Sequence, residues 1–165
     1  MSNKAAVLQK LNVLHIPHET YEHPAAFTME DCLALPFANA DVTICKNILL
    51  CNRQQTAFYL YVTLAGKHFR TADVSKLLGV SRLSFAPEEC LLERLQLRSG
   101  SLNPMGLWYD VDHSIVFAVD NAVRQTAKIA FHPCDNTATV VFDQPVFWNQ
   151  VVPTLGTKPV FLDVP

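Results

Sequence analysis

The chain has 165 residues, half of them hydrophobic and 17% charged, with a formal net charge of −2. That length and apolar content fit one domain with a real core, so residues 1–165 are read as a single domain. The low charge excludes a disordered chain, and the weak negative balance excludes a protein that coats DNA or RNA, though not one that grips only an RNA end.

In chain order, residues 3–14 predict a helix, with Val7, Leu8, Leu11 and Leu14 at helical spacing on one face. Ile16-Pro17 ends it, because proline disfavours helix in the residue before it. Glu19–Glu22 reads as extended, and Thr28-Met29-Glu30-Asp31 as a capping box opening a brief helix that stops near Leu35-Pro36. Asp41–Cys51 and Thr56–Leu64 predict two strands joined as a hairpin by the polar link Asn52–Gln55. Thr71–Leu78 predicts a helix with Gly79 just past its end, Arg82–Phe85 a short extended piece, and Pro87 the opening of a helix over Glu88–Leu95. Ser114–Val119, Lys128–Phe131 and Ala138–Phe142 predict strands, Gln144–Val151 a helix, and Pro159–Leu162 a last extended piece. Strands and helices mix without a strict βαβ rhythm. The expected class is therefore α/β (α+β), a mixed, mostly antiparallel sheet with helices packed on it.

No apolar run approaches the ~20 residues of a membrane span. Met1-Ser2-Asn3-Lys4 lacks the layout of a signal peptide, so a cytoplasmic protein is expected. The five cysteines (Cys32, Cys45, Cys51, Cys90 and Cys134) are odd in number and have no CxxC spacing, as expected of reduced thiols. Only Cys134 lies near suspected chemistry. His15, His18 and His23 cluster early, but Pro17 breaks any helical i, i+4 pairing of a zinc motif, so they read as structural or surface groups. No metal site is expected.

Three pieces could carry chemistry. Lys46 sits in an apolar strand and shares parity with Val42, Ile44, Ile48 and Leu50. It is either an edge-strand lysine that discourages aggregation or a cation aimed into a cleft at a phosphate or carbonyl oxygen. Asn47 points the other way on a regular strand, so spacing alone does not assign the two to one pocket. The loop Gly100-Ser101-Leu102-Asn103-Pro104-Met105-Gly106 offers bare backbone stiffened by proline, either as an ordinary connection or for close approach to a ligand. It matches neither a dinucleotide fingerprint nor a phosphate loop. His132, at a strand end before Pro133, is either a hydrogen-bonding corner or a group that positions water or takes a proton. Asp120 ends another strand, where an orienting carboxylate or an N-cap would fit.

In order and spacing these pieces resemble the YbaK-like family, the editing domain associated with prolyl-tRNA synthetases. The resemblance is strongest to its freestanding ProX-type branch, which deacylates mischarged Ala-tRNA(Pro). It runs from Tyr21-Glu22-His23-Pro24 and Phe27-Thr28 through Cys45–Leu50, Tyr61-Val62-Thr63, Leu83–Ala86, Gly100–Gly106 and Asp120 to His132-Pro133 and Asn136–Thr139. It implies a mixed α/β fold with a curved central sheet and a pocket for the 3′-terminal adenosine and its aminoacyl group. It also implies that Lys46, Gly100, Pro104 and His132 are catalytic. Asn47, Ser101, Leu102, Asn103, Asp120, Phe27, Ile44 and Asn136 would bind substrate. The implied partner is the acceptor end of tRNA(Pro), with transient contact to prolyl-tRNA synthetase, and neither membrane nor DNA. Synthetase and anticodon-recognition domains are absent from the sequence, so action in trans is expected.

The chemistry is coherent with such a set. An aminoacyl ester is already activated, so hydrolysis needs a placed water and a stabilised oxyanion rather than a strong nucleophile, metal or other cofactor. The tRNA 2′-hydroxyl is expected to assist, as the resemblance implies. Editing is needed because a proline site rejects the smaller alanine by only about 1–3 kcal/mol per missing methylene. A second pocket too small for proline removes the error. The competing expectations are a deacylase for cysteine or serine on tRNA, and a catalytically weak module that binds a tRNA end or a nucleotide.

Overall fold

Val42–Cys51 is the strand around which the molecule is arranged, flanked on one side by a hairpin partner and on the other by two shorter strands. The computed structural model describes residues 3–24, 41–98, 101–132 and 137–165. Its elements begin with α1 (Asn3–Val13), β1 (Glu19–Glu22), β2 (Val42–Cys51), β3 (Phe58–Leu64), α2 (Thr71–Leu78), β4 (Ser84–Phe85) and α3 (Glu88–Leu95). A 3-10 helix (Pro104–Tyr109), β5 (Val116–Asp120), β6 (Lys128–Phe131), β7 (Ala138–Asp143), α4 (Gln144–Val146) and β8 (Val160–Leu162) follow. The brief helix expected over 28–35 lies outside the described residues.

The sheet runs β1-β7-β6-β2-β3-β5-β8, with β4 also on β2. Four of its pairings are antiparallel and three parallel among the described residues. The class is therefore the mixed α/β sheet the sequence predicts. The β2–β3 hairpin forms across Asn52, whose Oδ1 accepts from Thr56 N at 2.8 Å and Ala57 N at 3.1 Å. This is the side-chain mimicry of a turn that makes asparagine common there.

Residue alternation splits β2 between two cores. Cys45, Leu49 and Cys51 join Phe58, Leu60, Val62, Phe117 and Val119 in the larger core, under α1, α3 and the 3-10 helix. Leu50 joins Tyr61, Ala118, Val74, Leu83 and Leu162 in the smaller core, under α2.

Three local readings are corrected. Leu14 is exposed rather than packed with Val7 and Leu11, because α1 stops at Val13. His15 takes φ 56°, and its N–H and that of Ile16 donate to Asn12 O and Leu11 O, closing the helix end. The loop after Gly100 contains a 3-10 helix opened by Pro104 and capped by Asn103. The C-terminal helix is not uniform: after Gln144–Val146 it widens to a π-helix over Phe147–Val151 and tightens to a 3-10 turn at Val152–Thr154. Pro153 has no N–H to continue an α-ladder there.

Candidate functional site

The parallel β2–β6 pairing covers Val42–Ile44, and β4 pairs β2 only at Leu50–Cys51, on the same side of the strand. Between them, Cys45–Ile48 has no strand neighbour on that side among the described residues. The limits of this gap are chemical. Ala86 N donates to Leu49 O at 2.8 Å, but Pro87 follows and cannot donate. On the other flank β6 ends at Phe131, and the chain runs through His132 into another proline. Leu49 O faces this gap while Ile44 O accepts from Ala65 N on the β3 side, so alternation turns the backbone of Asn47 into the gap.

Lys46 lies on the smaller-core face of β2. Its Nζ donates to the Lys67 carbonyl at 2.6 Å and sits 5.4 Å from the centroid of the Phe69 ring. Burial pulls its pKa below the ordinary lysine value. His132 follows β6 directly, one residue past its last pair with β7, Phe131↔Val140. Lys46 thus lies on β2 and His132 just past the end of β6, the strand paired to β2 below the gap.

The tautomer of His132 follows from its partner. Nδ1 lies 2.9 Å from the Ala138 carbonyl, which only accepts, so Nδ1 carries the hydrogen and Nε2 the lone pair in the neutral ring. His23 is set the same way by the Pro24 carbonyl at 2.8 Å, so its Nε2 accepts from the Thr139 hydroxyl at 2.9 Å. The Thr139 oxygen is in turn 3.4 Å from His132 Nδ1, and the two rings are 5.7 Å apart. His23, read from the sequence as structural or surface, is joined to His132 through Thr139. Its signal was β1–β7 pairing, in which Tyr21 faces Thr139.

On the opposite face, Asn47 opens into an apolar cavity of about 300 Å³ lined by Leu49, Phe85, Glu88, Leu91 and Leu102. Its Oδ1 is buried and has no hydrogen-bond partner. Asn103 is buried deeper, its Oδ1 accepting from Met105 N at 2.8 Å and its Nδ2 donating to Ser101 O at 3.0 Å. Pro104 is buried at the first position of the 3-10 helix, and Ser101 is half-buried. Ile44 is half-buried where β2 meets β6.

Asp120 is 1% exposed, and its oxygens have protein partners: Thr63 Oγ1 at 2.8 Å, Lys67 Nζ at 2.6 Å and Ala122 N at 3.0 Å. Lys67 and Thr63 are the residues that sequence reasoning missed. Thr63 faces Lys46 across the β2–β3 ladder, a neighbour that hairpin register could have supplied. Gly100, Phe27, Asn136 and Cys134 lie outside the described residues. Of the other cysteines, Cys45, Cys51 and Cys90 are buried free thiols, and burial raises the Cys45 pKa. A thiolate there is disfavoured.

Similarity to known proteins extends over most of the chain. The family model for the aminoacyl-tRNA editing domain matches residues 23–147. Prolyl-tRNA synthetase associated domain-containing protein 1 of Bos taurus is 31% identical over 164 residues, covering 97% of this chain and 94% of the relative. The prolyl-tRNA editing protein ProX of Acetoanaerobium sticklandii is 31% identical over 141 residues, covering 86% and 85%. A solved structure of a candidate trans-editing enzyme for prolyl tRNA synthetase superposes with a TM-score of 0.73 at 16% identity, covering 99% of this chain and 98% of that one. At that identity the likeness speaks for the fold.

Proposed function

The chain belongs to the aminoacyl-tRNA editing domain family, and we propose that it is a trans-acting hydrolase that deacylates mischarged tRNA, with Ala-tRNA(Pro) as substrate. The reading is carried by one observation. At the gap in the sheet, β2 carries a cation on one face and, one residue on and on the other face, a buried amide oxygen without a partner on a residue that lines an apolar cavity.

An unpaired buried acceptor costs about 1–3 kcal/mol, so a ligand that brings a donor into that cavity regains it. The α-ammonium of an aminoacyl ester is such a donor. In this reading the ester lies across the gap, with the aminoacyl side chain against Leu91 and Leu102 and its ammonium on Asn47 Oδ1. The nucleotide end lies toward Lys46 and His132. The Lys46 ammonium stabilises negative charge on phosphate or on the developing oxyanion. His132, through Nε2, orders water or substrate, and Thr139 and His23 hold its ring. The Gly100 backbone N–H is proposed as a donor, and Pro104, which has no N–H, is proposed to stiffen the loop and bound the pocket, with Ser101 beside them. Phe27, Ile44 and Asn136 are proposed as further substrate contacts. The partner is the acceptor end of tRNA(Pro), met in the cytoplasm with transient contact to prolyl-tRNA synthetase. That assignment is supported by the editing-protein relative and by the synthetase-associated names.

The decisive experiment is release of labelled amino acid from Ala-tRNA(Pro), Pro-tRNA(Pro), Cys-tRNA and Ser-tRNA. Fast release of alanine with slow release of proline is expected, and it should fall in Lys46→Ala and Asn47→Ala. Fast release of cysteine or serine in place of alanine would reassign the substrate. Tight binding of the acceptor end without any release would replace the enzyme by a binding module.

A further inference from the structure

Lys46 is half-buried, and among the described residues no carboxylate pairs with it. It is held by the loop that follows β3. That loop, residues 65–70, turns on a bond from Lys67 N to Leu64 O at 3.0 Å. It presents two groups to Lys46: the Lys67 carbonyl at 2.6 Å and the Phe69 ring. Phe69 is itself braced edge-on by the buried Tyr61, with ring centroids 5.0 Å apart.

A surface loop would not keep a carbonyl and a ring in place by itself. Here the Lys67 side chain turns inward and anchors the loop at two points. Its Nζ donates to Asp120 Oδ2 at 2.6 Å and to the Val164 carbonyl at 2.7 Å. Asp120 is fixed in turn by Thr63 and by the Ala122 N–H, and Thr63 is the residue facing Lys46 across the ladder. Two lysines thus stand in series: the backbone of one grips the ammonium of the other, and its side chain is tied to β5 and the C-terminal tail.

We propose that Lys67 is a positioning residue: its ion pair with Asp120 and its bond to Val164 fix the loop whose carbonyl and aromatic ring hold the Lys46 ammonium in place. Asp120 acts through Lys67, without touching substrate. The catalytic consequence rests on the deacylase reading; the positioning of Lys46 does not.

The test is a double-mutant cycle in single-turnover deacylation of Ala-tRNA(Pro). Lys67→Met should slow the chemical step by about tenfold or more, since a small displacement of a catalytic group is costly, while tRNA affinity stays near the parent's. Lys67→Arg, which keeps charge and reach, should restore much of the rate. In a Lys46→Ala background, Lys67→Met should cost nothing further, because its effect passes through Lys46. A merely structural role would instead slow both backgrounds alike. An independent measurement uses 15N–1H spectra of the lysine ammonium groups. The Lys46 signal should be shielded from exchange in the parent and in Lys67→Arg, and lost to rapid exchange in Lys67→Met. A parent-like rate in Lys67→Met, an additive cycle, or an unchanged Lys46 signal would each overturn the proposal. If the parent releases no amino acid from any of the charged tRNAs, the deacylase reading fails, and the ammonium spectra still decide whether Lys67 positions Lys46.

Discussion

Lys46 shows how far a single side chain depends on its surroundings. In water its ammonium would be fully hydrated. Here burial strips part of that shell, and a carbonyl and an aromatic face replace it. Removing it in Lys46→Ala should cost about 1.5–3 kcal/mol of transition-state binding, about 10–150-fold in deacylation rate, with normal thermal melting. Unchanged activity would end the assignment. Burial lowers the Lys46 pKa, and the sign of the pH effect follows. The cation is present below the folded pKa and lost as pH rises through it, which happens before the ordinary lysine value of about 10.4. Enzymatic deacylation, corrected for spontaneous ester hydrolysis, should therefore fall on the alkaline side earlier than an exposed lysine would dictate. For stability the same shift acts oppositely: the cost of burying the charge is present at low pH and fades as pH climbs through that window.

The 3-10 helix Pro104–Tyr109 follows the cavity-lining Leu102 in the chain, and it is held by its cap. Asn103 satisfies the Met105 N–H in a fully buried setting, so Asn103→Ala should destabilise the protein by about 1–2 kcal/mol. Asn103→Asp keeps the acceptor but sets a buried carboxylate against the Ser101 carbonyl, so it should lose at least as much, as denaturant unfolding would show. Leu102 immediately precedes this cap and lines the cavity. Pro104→Ala loosens the same start and should slow alanine release. It should also raise the rate for Pro-tRNA(Pro) relative to Ala-tRNA(Pro), because exclusion of the larger residue depends on a rigid wall. A fall in rate at constant ratio would confine the loop to catalysis and move selectivity elsewhere.

At the scale of the whole molecule, the net charge of −2 argues for a small electrostatic footprint on RNA. If only the acceptor end is gripped, two or three phosphates are neutralised, and the slope of log affinity against log salt should be no steeper than about −2, against far steeper values for proteins that coat a duplex. A steep slope would require an extended tRNA surface. The two cores share β2, β3 and β5, so thermal unfolding by near- and far-ultraviolet circular dichroism should superimpose as one transition. Separate transitions would show that α2 and β8 unfold independently of the larger core.

Periodicity and turn chemistry are local, and they determined most of the elements. The hairpin on Asn52, the helix closed by Gly79 and the helix after Pro87 are legible because short-range sterics and hydrogen bonds decide them. The odd placement of Lys46, the opposite orientation of Asn47 and the motif order behind the family resemblance are equally present in the sequence. The sequence did not show what these residues touch. The gap in the sheet exists because β6 and β4 stop at different levels of β2, and pairing partners that distant are set by packing rather than by local preference. The same packing joined His23 to His132 through Thr139, and it enclosed Asp120 with Thr63 and Lys67 rather than leaving it as an open carboxylate. It also turned the loop after Gly100 into a capped 3-10 helix. Those outcomes depend on burial, because a charge or amide removed from water takes whichever partner the fold brings within reach. That partner lies 57 residues from Asp120 in the case of Thr63 and 116 from Thr139 in the case of His23.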